Sequence, residues 1–263
     1  MQGDRALTAD LALLQRLERQ THRGFGRGSA VHDTGAFRIY LWPRPEPFYR
    51  NRALPMAEPA RWQPAIERLV AIFAHAGREP RLEFFAERWP TLPPALQAAG
   101  FVLESRAPAL VLATPPADTQ PAGEILGPGC PPALSATFLA GVQTVFGAPP
   151  PTDPGELVQL RRDLEQGVTI AAMLWLDRQP LAGASLIGVG AEAELAGVWT
   201  RPEHRRRGHA QAVCARLLRH FFGRGGELVW LSAGGEGSEG LYLKLGFGRV
   251  GTQLNYALPA SSP

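Results

Sequence analysis

The chain has 263 residues, 45% of them hydrophobic, with a net charge of +3 and a sequence pI ≈ 9.2; that length holds one large core or two modest ones, and the usual domain size favours two. So small a charge carries no expectation of a nucleic-acid partner, and no apolar run approaches the length of a membrane span. Met1 to Gln20 carries Asp4, Asp10 and Glu18 among spaced leucines, unlike a signal peptide, so a cytoplasmic protein is expected.

In chain order, Gly24-Phe25-Gly26-Arg27-Gly28 has no apolar strand leading into it and reads as a flexible loop rather than a phosphate cradle. Trp62, Ile66, Leu69, Val70 and Phe73 fall on one helical face, and Leu82 to Phe85 follow as an apolar strand. The Pro/Gly-rich stretch Thr114 to Pro132 is the natural linker, with the boundary near Ala117, giving domains 1–116 and 117–263. Past Pro121 the order is a strand, a helix over Ala133 to Phe146 and a helix over Gly155 to Gln166. Strands over Val168 to Asp177, Leu181 to Val189 and Glu192 to Thr200 come next. A helix then places Ala210, Val213, Cys214, Leu217, Leu218 and Phe221 on one face. Strand Leu228 to Ser232, a short helix ending at Leu245, and two strands around Phe247 to Val250 and Gln253 to Leu258 complete the chain.

The two halves repeat one another. Leu96-Gln97-Ala98-Ala99-Gly100-Phe101 parallels Tyr242-Leu243-Lys244-Leu245-Gly246-Phe247, each a helix end followed by a strand, and each follows an amphipathic helix and an apolar strand. The fold class is therefore α/β with a mixed sheet, in two tandem copies. Cys130 and Cys214 stand far apart and are expected as free thiols, and six histidines and two cysteines without ligand spacing imply no metal.

The most informative stretch is Thr200 to Gln211, which sets Arg205, Arg206, Arg207 and Gly208 at the start of a helix. A helix's first turn has free N–H groups and the positive end of its dipole, so acidic residues are usual there; arginines and a glycine point instead to a docked anion. A solvated basic turn is the alternative. The stretch lacks the Gly-Lys-Ser/Thr ending of a P-loop and the three glycines of a dinucleotide fingerprint. Arg205-x-x-Gly208-x-Ala210 resembles the Arg/Gln-x-x-Gly-x-Gly/Ala motif of the GNAT acyltransferases, and the order of elements in the second half is similar to the whole GNAT fold. The first half has no such motif between Arg52 and Pro59, so the resemblance is to tandem GNAT proteins with a degenerate N-terminal domain.

That resemblance implies an acyl-CoA-dependent N-acyltransferase that moves an acetyl group from acetyl-CoA to a small-molecule or peptide amine by direct attack in a ternary complex. Carried over position by position, the backbone of Val198, Trp199 and Thr200 would pair with the pantetheine arm like an added strand. Arg206, Arg207, Gly208, His209, Ala210 and Gln211 would supply amides to the pyrophosphate, with His209 at a variable, solvated position. Tyr242 sits where the family places a tyrosine near the coenzyme sulfur, as proton donor to the leaving thiolate; packing alone is its other reading. Glu194 is the candidate base, with Glu192 two residues along the same strand face or a water chain as alternatives. Gly235 stands where many relatives carry an asparagine. The acceptor would enter near Phe146 to Asp153, where Asp153 and Glu156 either attract an amine or cap a helix. Two rivals remain: a module that binds acyl-CoA without turnover, and aminoacyl transfer from charged tRNA, against which the modest charge argues.

Overall fold

Asp10 starts the first helix by accepting a hydrogen bond from Leu13 N at 3.0 Å, satisfying one of the orphan donors of the first turn. The computed structural model describes residues 10–44, 48–117, 120–145, 154–234 and 237–259. The chain divides into two compact units: Met1–Leu110 with Ser232–Gly234 and Arg249–Pro263, and Val111–Leu231 with Gly235–Gly248. Compactness thus groups the C-terminal residues with the N-terminal ones, whereas the repeat in the sequence divides the chain after residue 116.

The first unit runs α1 (Leu11–Phe25), β1 (Ala30–Asp33), β2 (Phe37–Leu41), β3 (Arg52–Pro55), α2 (Trp62–His75), β4 (Arg81–Phe85), α3 (Leu92–Ala98) and β5 (Val102–Leu112). The chain's last strand, β11 (Gly248–Ala257), pairs antiparallel with β4, Leu254 opposite Phe84 and Tyr256 opposite Leu82, giving the order β1-β2-β3-β4-β11-β5. The 247–250 and 253–258 stretches expected as two strands are this one strand, because Gly251 and Thr252 stay extended, with Thr252 N donating to Glu87 Oε2 at 3.0 Å. The buried face of α2, Trp62, Ile66, Leu69 and Phe73, packs on Phe37, Ile39, Ala53, Leu82, Phe84, Leu254 and Tyr256. Each of these large side chains contributes about 1.5–3 kcal/mol by burial. Alternate strand residues face the other way, so Tyr40, Glu83 and Gln253 are buried on the opposite side of the sheet. There Glu83 is held by Arg52 and by Gln253 Nε2 at 2.7 Å. Gly24 and Phe25 are the last turn of α1 rather than loop, and Gly26 caps it.

The second unit contains β6 (Glu124–Leu126), α4 (Pro132–Val145), α5 (Pro154–Glu165), β7 (Thr169–Leu176), β8 (Gln179–Ile187), β9 (Glu192–Thr200), α6 (His209–Gly223), β10 (Leu228–Ser232) and α7 (Glu239–Lys244). Its strands follow the order β10-β9-β8-β7-β6, antiparallel except for the parallel pair β9 and β10. One face packs on α6 through Val213, Cys214, Leu217, Leu218 and Phe221. The other carries a core of Leu126, Phe138, Leu164, Ala171, Met173 and Trp199 beneath α4 and α5.

The sequence repeat is a repeat of one helix-stop geometry. Phe101 N donates to Leu96 O at 3.0 Å and Gly100 N to Gln97 O at 3.0 Å; Phe247 N donates to Tyr242 O at 3.1 Å and Gly246 N to Leu243 O at 3.0 Å. Both glycines sit at positive φ, 84° and 95°, which a side chain would strain.

Candidate active site

Three features of the second unit converge along β9. The first is a fork. β10 pairs with β9 at Leu228–Glu192, Val229–Ala193 and Trp230–Glu194, and the recorded pairing stops there while β9 continues to Thr200. Glu194 is therefore the last residue of β9 paired on both sides, opposite Ile187 of β8 as well. It is half-buried, and through the cross-strand pairs Ile187–Glu194, Ser185–Ala196 and Gly183–Trp199 it shares the sheet face that lies under α4. Glu192, two residues earlier, lies on that face too.

A bulge is the second feature. Between Gly183–Trp199 and Ser185–Ala196 the register slips, so Gly197 and Val198 together oppose Ala184. Gly197 takes φ 58° to allow it, and Ser185 Oγ donates to Ala196 O at 3.0 Å. The slip turns the Trp199 side chain inward: it is 3% exposed, and an ideal Cβ built on Gly183 would lie 2.5 Å from its Nε1. Trp199 thus offers only its backbone to the fork, while its ring fills the core between Gly183 and Gly141. Sequence reasoning missed Gly141, Gly183 and Gly197; their trace was three unexplained glycines, all inside regular elements.

The third feature is the turn between β9 and α6. Arg205 Nε reaches back to Thr200 O at 3.4 Å, and Arg206 and Gly208 both take positive φ, 63° and 81°. For a non-glycine residue such as Arg206 that conformation costs about 1–2 kcal/mol. Gly208 is the N-cap of α6 with no side-chain cap, and Ala212 N is the first amide to bond back, to Gly208 O at 3.0 Å. Among the described residues the amides of Arg206, Arg207, Gly208, His209, Ala210 and Gln211 therefore have no recorded partner. An ideal Cβ on Gly208 meets nothing within 4 Å, so the turn is open as well as donor-rich. Arg205, Arg206 and Arg207 are exposed around it, and His209 is half-exposed with its ring edge-on to His204, centroids 6.3 Å apart. Such a turn fits an oxyanion held by amides and guanidinium groups.

Tyr242 lies on α7, 9% exposed, with its ring edge-on to Phe247 at 6.0 Å. Burial raises the pKa of its phenol, and the neighbouring Cys214 adds to the rise. Cys214 is itself pushed up to about 12 by complete burial. Both groups are therefore neutral at physiological pH, and that corner of the unit penalises any anion formed in it. Cys130 and Cys214 are free thiols. The expected acceptor entrance, Phe146 to Asp153, and Gly235 lie outside the described residues. Among the described residues no helix is long and apolar enough to cross a membrane, and no group of three or more His, Cys, Asp or Glu is placed to hold a metal ion.

A mixed sheet with a forked, bulged strand leading into an amide-lined turn at a helix start is the architecture of the acetyltransferase (GNAT) fold. Residues 142–247 match the model of the acetyltransferase (GNAT) family. No curated protein matches the sequence. The structure is similar to that of a GCN5-related N-acetyltransferase from Kribbella flavida, with a TM-score of 0.76 at 23% identity over 95% of this chain and 96% of that one. It is also similar to a putative GNAT acetyltransferase from Novosphingobium aromaticivorans, with a TM-score of 0.57 at 21% identity over 94% and 99% of the two chains. A tandem GNAT protein from the clavulanic acid biosynthesis pathway aligns with a TM-score of 0.57 at 15% identity, over 89% of this chain and 85% of that one. The family whose model matches is one of acetyltransferases.

Proposed function

We propose that the protein transfers an acetyl group from acetyl-CoA to the nitrogen of a small-molecule or peptide amine, by direct attack within a ternary complex held by the second half of the chain. The observation that carries this reading is the fork: β9 leaves β10 at Glu194 and runs on into a turn whose amides are unengaged. From Glu194 to Thr200 an extended strand covers roughly 20 Å. The backbone of Val198, Trp199 and Thr200 along this stretch suits strand-like pairing with a pantetheine arm. At the end of that run, the amides of Arg206, Arg207, Gly208, His209, Ala210 and Gln211 receive the pyrophosphate.

Glu194, at the fork, takes the proton that the attacking nitrogen sheds, directly or through water. The new C–N bond forms as the thioester C–S bond breaks, and Tyr242 donates its phenolic proton to the leaving thiolate. An ordinary thiol has a pKa near 8.5 and a phenol near 10, so this transfer is uphill by roughly 2 kcal/mol in water. In the corner occupied by Cys214, burial disfavours a thiolate as it disfavours a phenolate, which keeps the two acids matched. The first half is proposed to be a degenerate copy that leaves coenzyme A to the second. After β3 the amides of Met56 and Ala57 are both directed to Ala36 O, at 2.8 and 3.5 Å, rather than left available.

Calorimetric titration of the whole protein with acetyl-CoA, followed by a screen of amines for free-thiol release, tests the reading. Saturable binding with turnover on an amine supports it. Tight binding with no turnover across a broad amine panel replaces it with a sensor role. Glu194→Gln is expected to abolish the rise of kcat with pH that an ionising base gives; an unchanged pH profile removes Glu194 as base.

A further inference from the structure

A cleft in the same unit is lined by residues outside the β9–α6 turn. Gly127 and Cys130, between β6 and α4, and Arg161, Arg162, Leu164 and Glu165, on the last turns of α5, line a cleft of about 310 Å³. That volume is at the lower end of the range of small-molecule pockets.

The charges around the cleft are not equally committed. Glu165 accepts from Gly129 N at 2.9 Å. The last carbonyls of α5 are taken as well: Arg162 O by Gln166 N at 3.0 Å, Leu164 O by Gly167 N at 3.0 Å and Asp163 O by Val168 N at 3.0 Å. The Cys130 thiol reaches Pro131 O at 3.5 Å and stays protonated, because burial and Glu124 raise its pKa against the opposing influence of Arg161. Arg161 and Arg162, in contrast, make no hydrogen bond or ion pair among the described residues. Both arginines are exposed and line the cleft, and the planar fork of donors on a guanidinium suits the paired oxygens of a carboxylate or phosphate. We propose that this cleft binds a small oxyanion, a dicarboxylate or a phosphate, between Arg161 and Arg162, independently of the acyl-donor site.

Cys130 provides the readout. It is partly exposed and lines the cleft, whereas Cys214 is completely buried and serves as an internal control. The rate of Cys130 alkylation by iodoacetamide at pH 8.5 is followed by mass spectrometry of the intact protein at fixed ionic strength. Separate arms contain succinate, inorganic phosphate and uncharged succinamide. If an anion binds with a Kd on the order of 1 mM, about 10 mM of it slows alkylation roughly tenfold by mass action. Protection by succinate alone assigns a dicarboxylate site; protection by phosphate alone assigns a phosphate site. The doubly substituted R161Q/R162Q protein should lose the protection, while R206Q/R207Q, altered at the turn before α6, should keep it. Equal rates with and without either anion overturn the proposal, as does protection by succinamide or protection that survives R161Q/R162Q. These outcomes do not depend on whether acetyl-CoA binds.

Discussion

Tyr242→Phe separates catalysis from packing. The Tyr242 hydroxyl makes no recorded hydrogen bond among the described residues, while the ring packs against Phe247. Removing the oxygen therefore leaves no partner unsatisfied, and the cost in stability should be under about 0.5 kcal/mol. If the phenol is the proton donor to the thiolate, its loss slows turnover by about 10² to 10⁴, or roughly 3–5 kcal/mol of activation free energy. Acetyl-CoA affinity should stay within a few-fold, since the phenol acts on a charge that exists only as the C–S bond breaks. Steady-state kinetics with an amine identified by the screen, alongside thermal unfolding and calorimetric binding, separates these quantities. Full kcat in the Phe variant would refute the proton-donor role and leave Tyr242 as a packing residue. A fall in melting temperature matching the lost activity would refute it too, by showing that the hydroxyl supports the fold.

Gly208→Asp should abolish coenzyme A binding in a folded protein, because it puts a side chain at φ 81° and a negative charge where the pyrophosphate is proposed to sit; unchanged calorimetric binding removes the turn from the assignment. Gly183→Ala should destabilise the chain by about 1–3 kcal/mol, since its Cβ would lie 2.5 Å from Trp199 Nε1, and Trp199→Leu should relieve part of that cost in a double-mutant cycle; additive effects would place the indole elsewhere. His22, with Nδ1 2.7 Å from Tyr40 Oη, has its pKa lowered to about 4 by burial first and by Arg38 second, with Asp33 opposing. Its depressed pKa means that the unfolded chain takes up a proton near pH 6.5 that the folded chain refuses until about pH 4, so stability is lost as pH falls through that window. The full shift corresponds to about 3 kcal/mol, which partial exposure reduces to roughly 1–2 kcal/mol. Urea unfolding at pH 7 and 4.5 should show this loss in the natural protein and less of it in His22→Gln; equal losses would point to other groups.

Sequence alone determined what depends on local periodicity and on motifs confined to one element. The α6 face was legible because Val213, Cys214, Leu217, Leu218 and Phe221 recur with the helical period, and the span Glu192 to Thr200 because it reads as a strand between turn signals. The helix stops at Gly100 and Gly246 were visible as a repeat because the same left-handed turn calls for the same glycine. The arginines and Gly208 raised the expectation of an anion site, because amides at a helix start favour negative charge wherever the helix lies.

Tertiary structure decided what depends on partners distant in sequence. Nothing in Glu192 to Thr200 tells where pairing with β10 stops, yet that stop sets Glu194 at the fork. The slip against Ala184 depends on the register of two strands, and it alone sends Trp199 to the face under α4 and α5 instead of the one that packs on α6. The last strand, read as two pieces of the second half, pairs as one strand with β4, because strand partners are chosen by hydrogen bonds and shared apolar faces rather than by order along the chain. Ionisation follows the same rule: the phenol of Tyr242 and the thiol of Cys214 owe their raised pKa values to burial that only the folded chain provides.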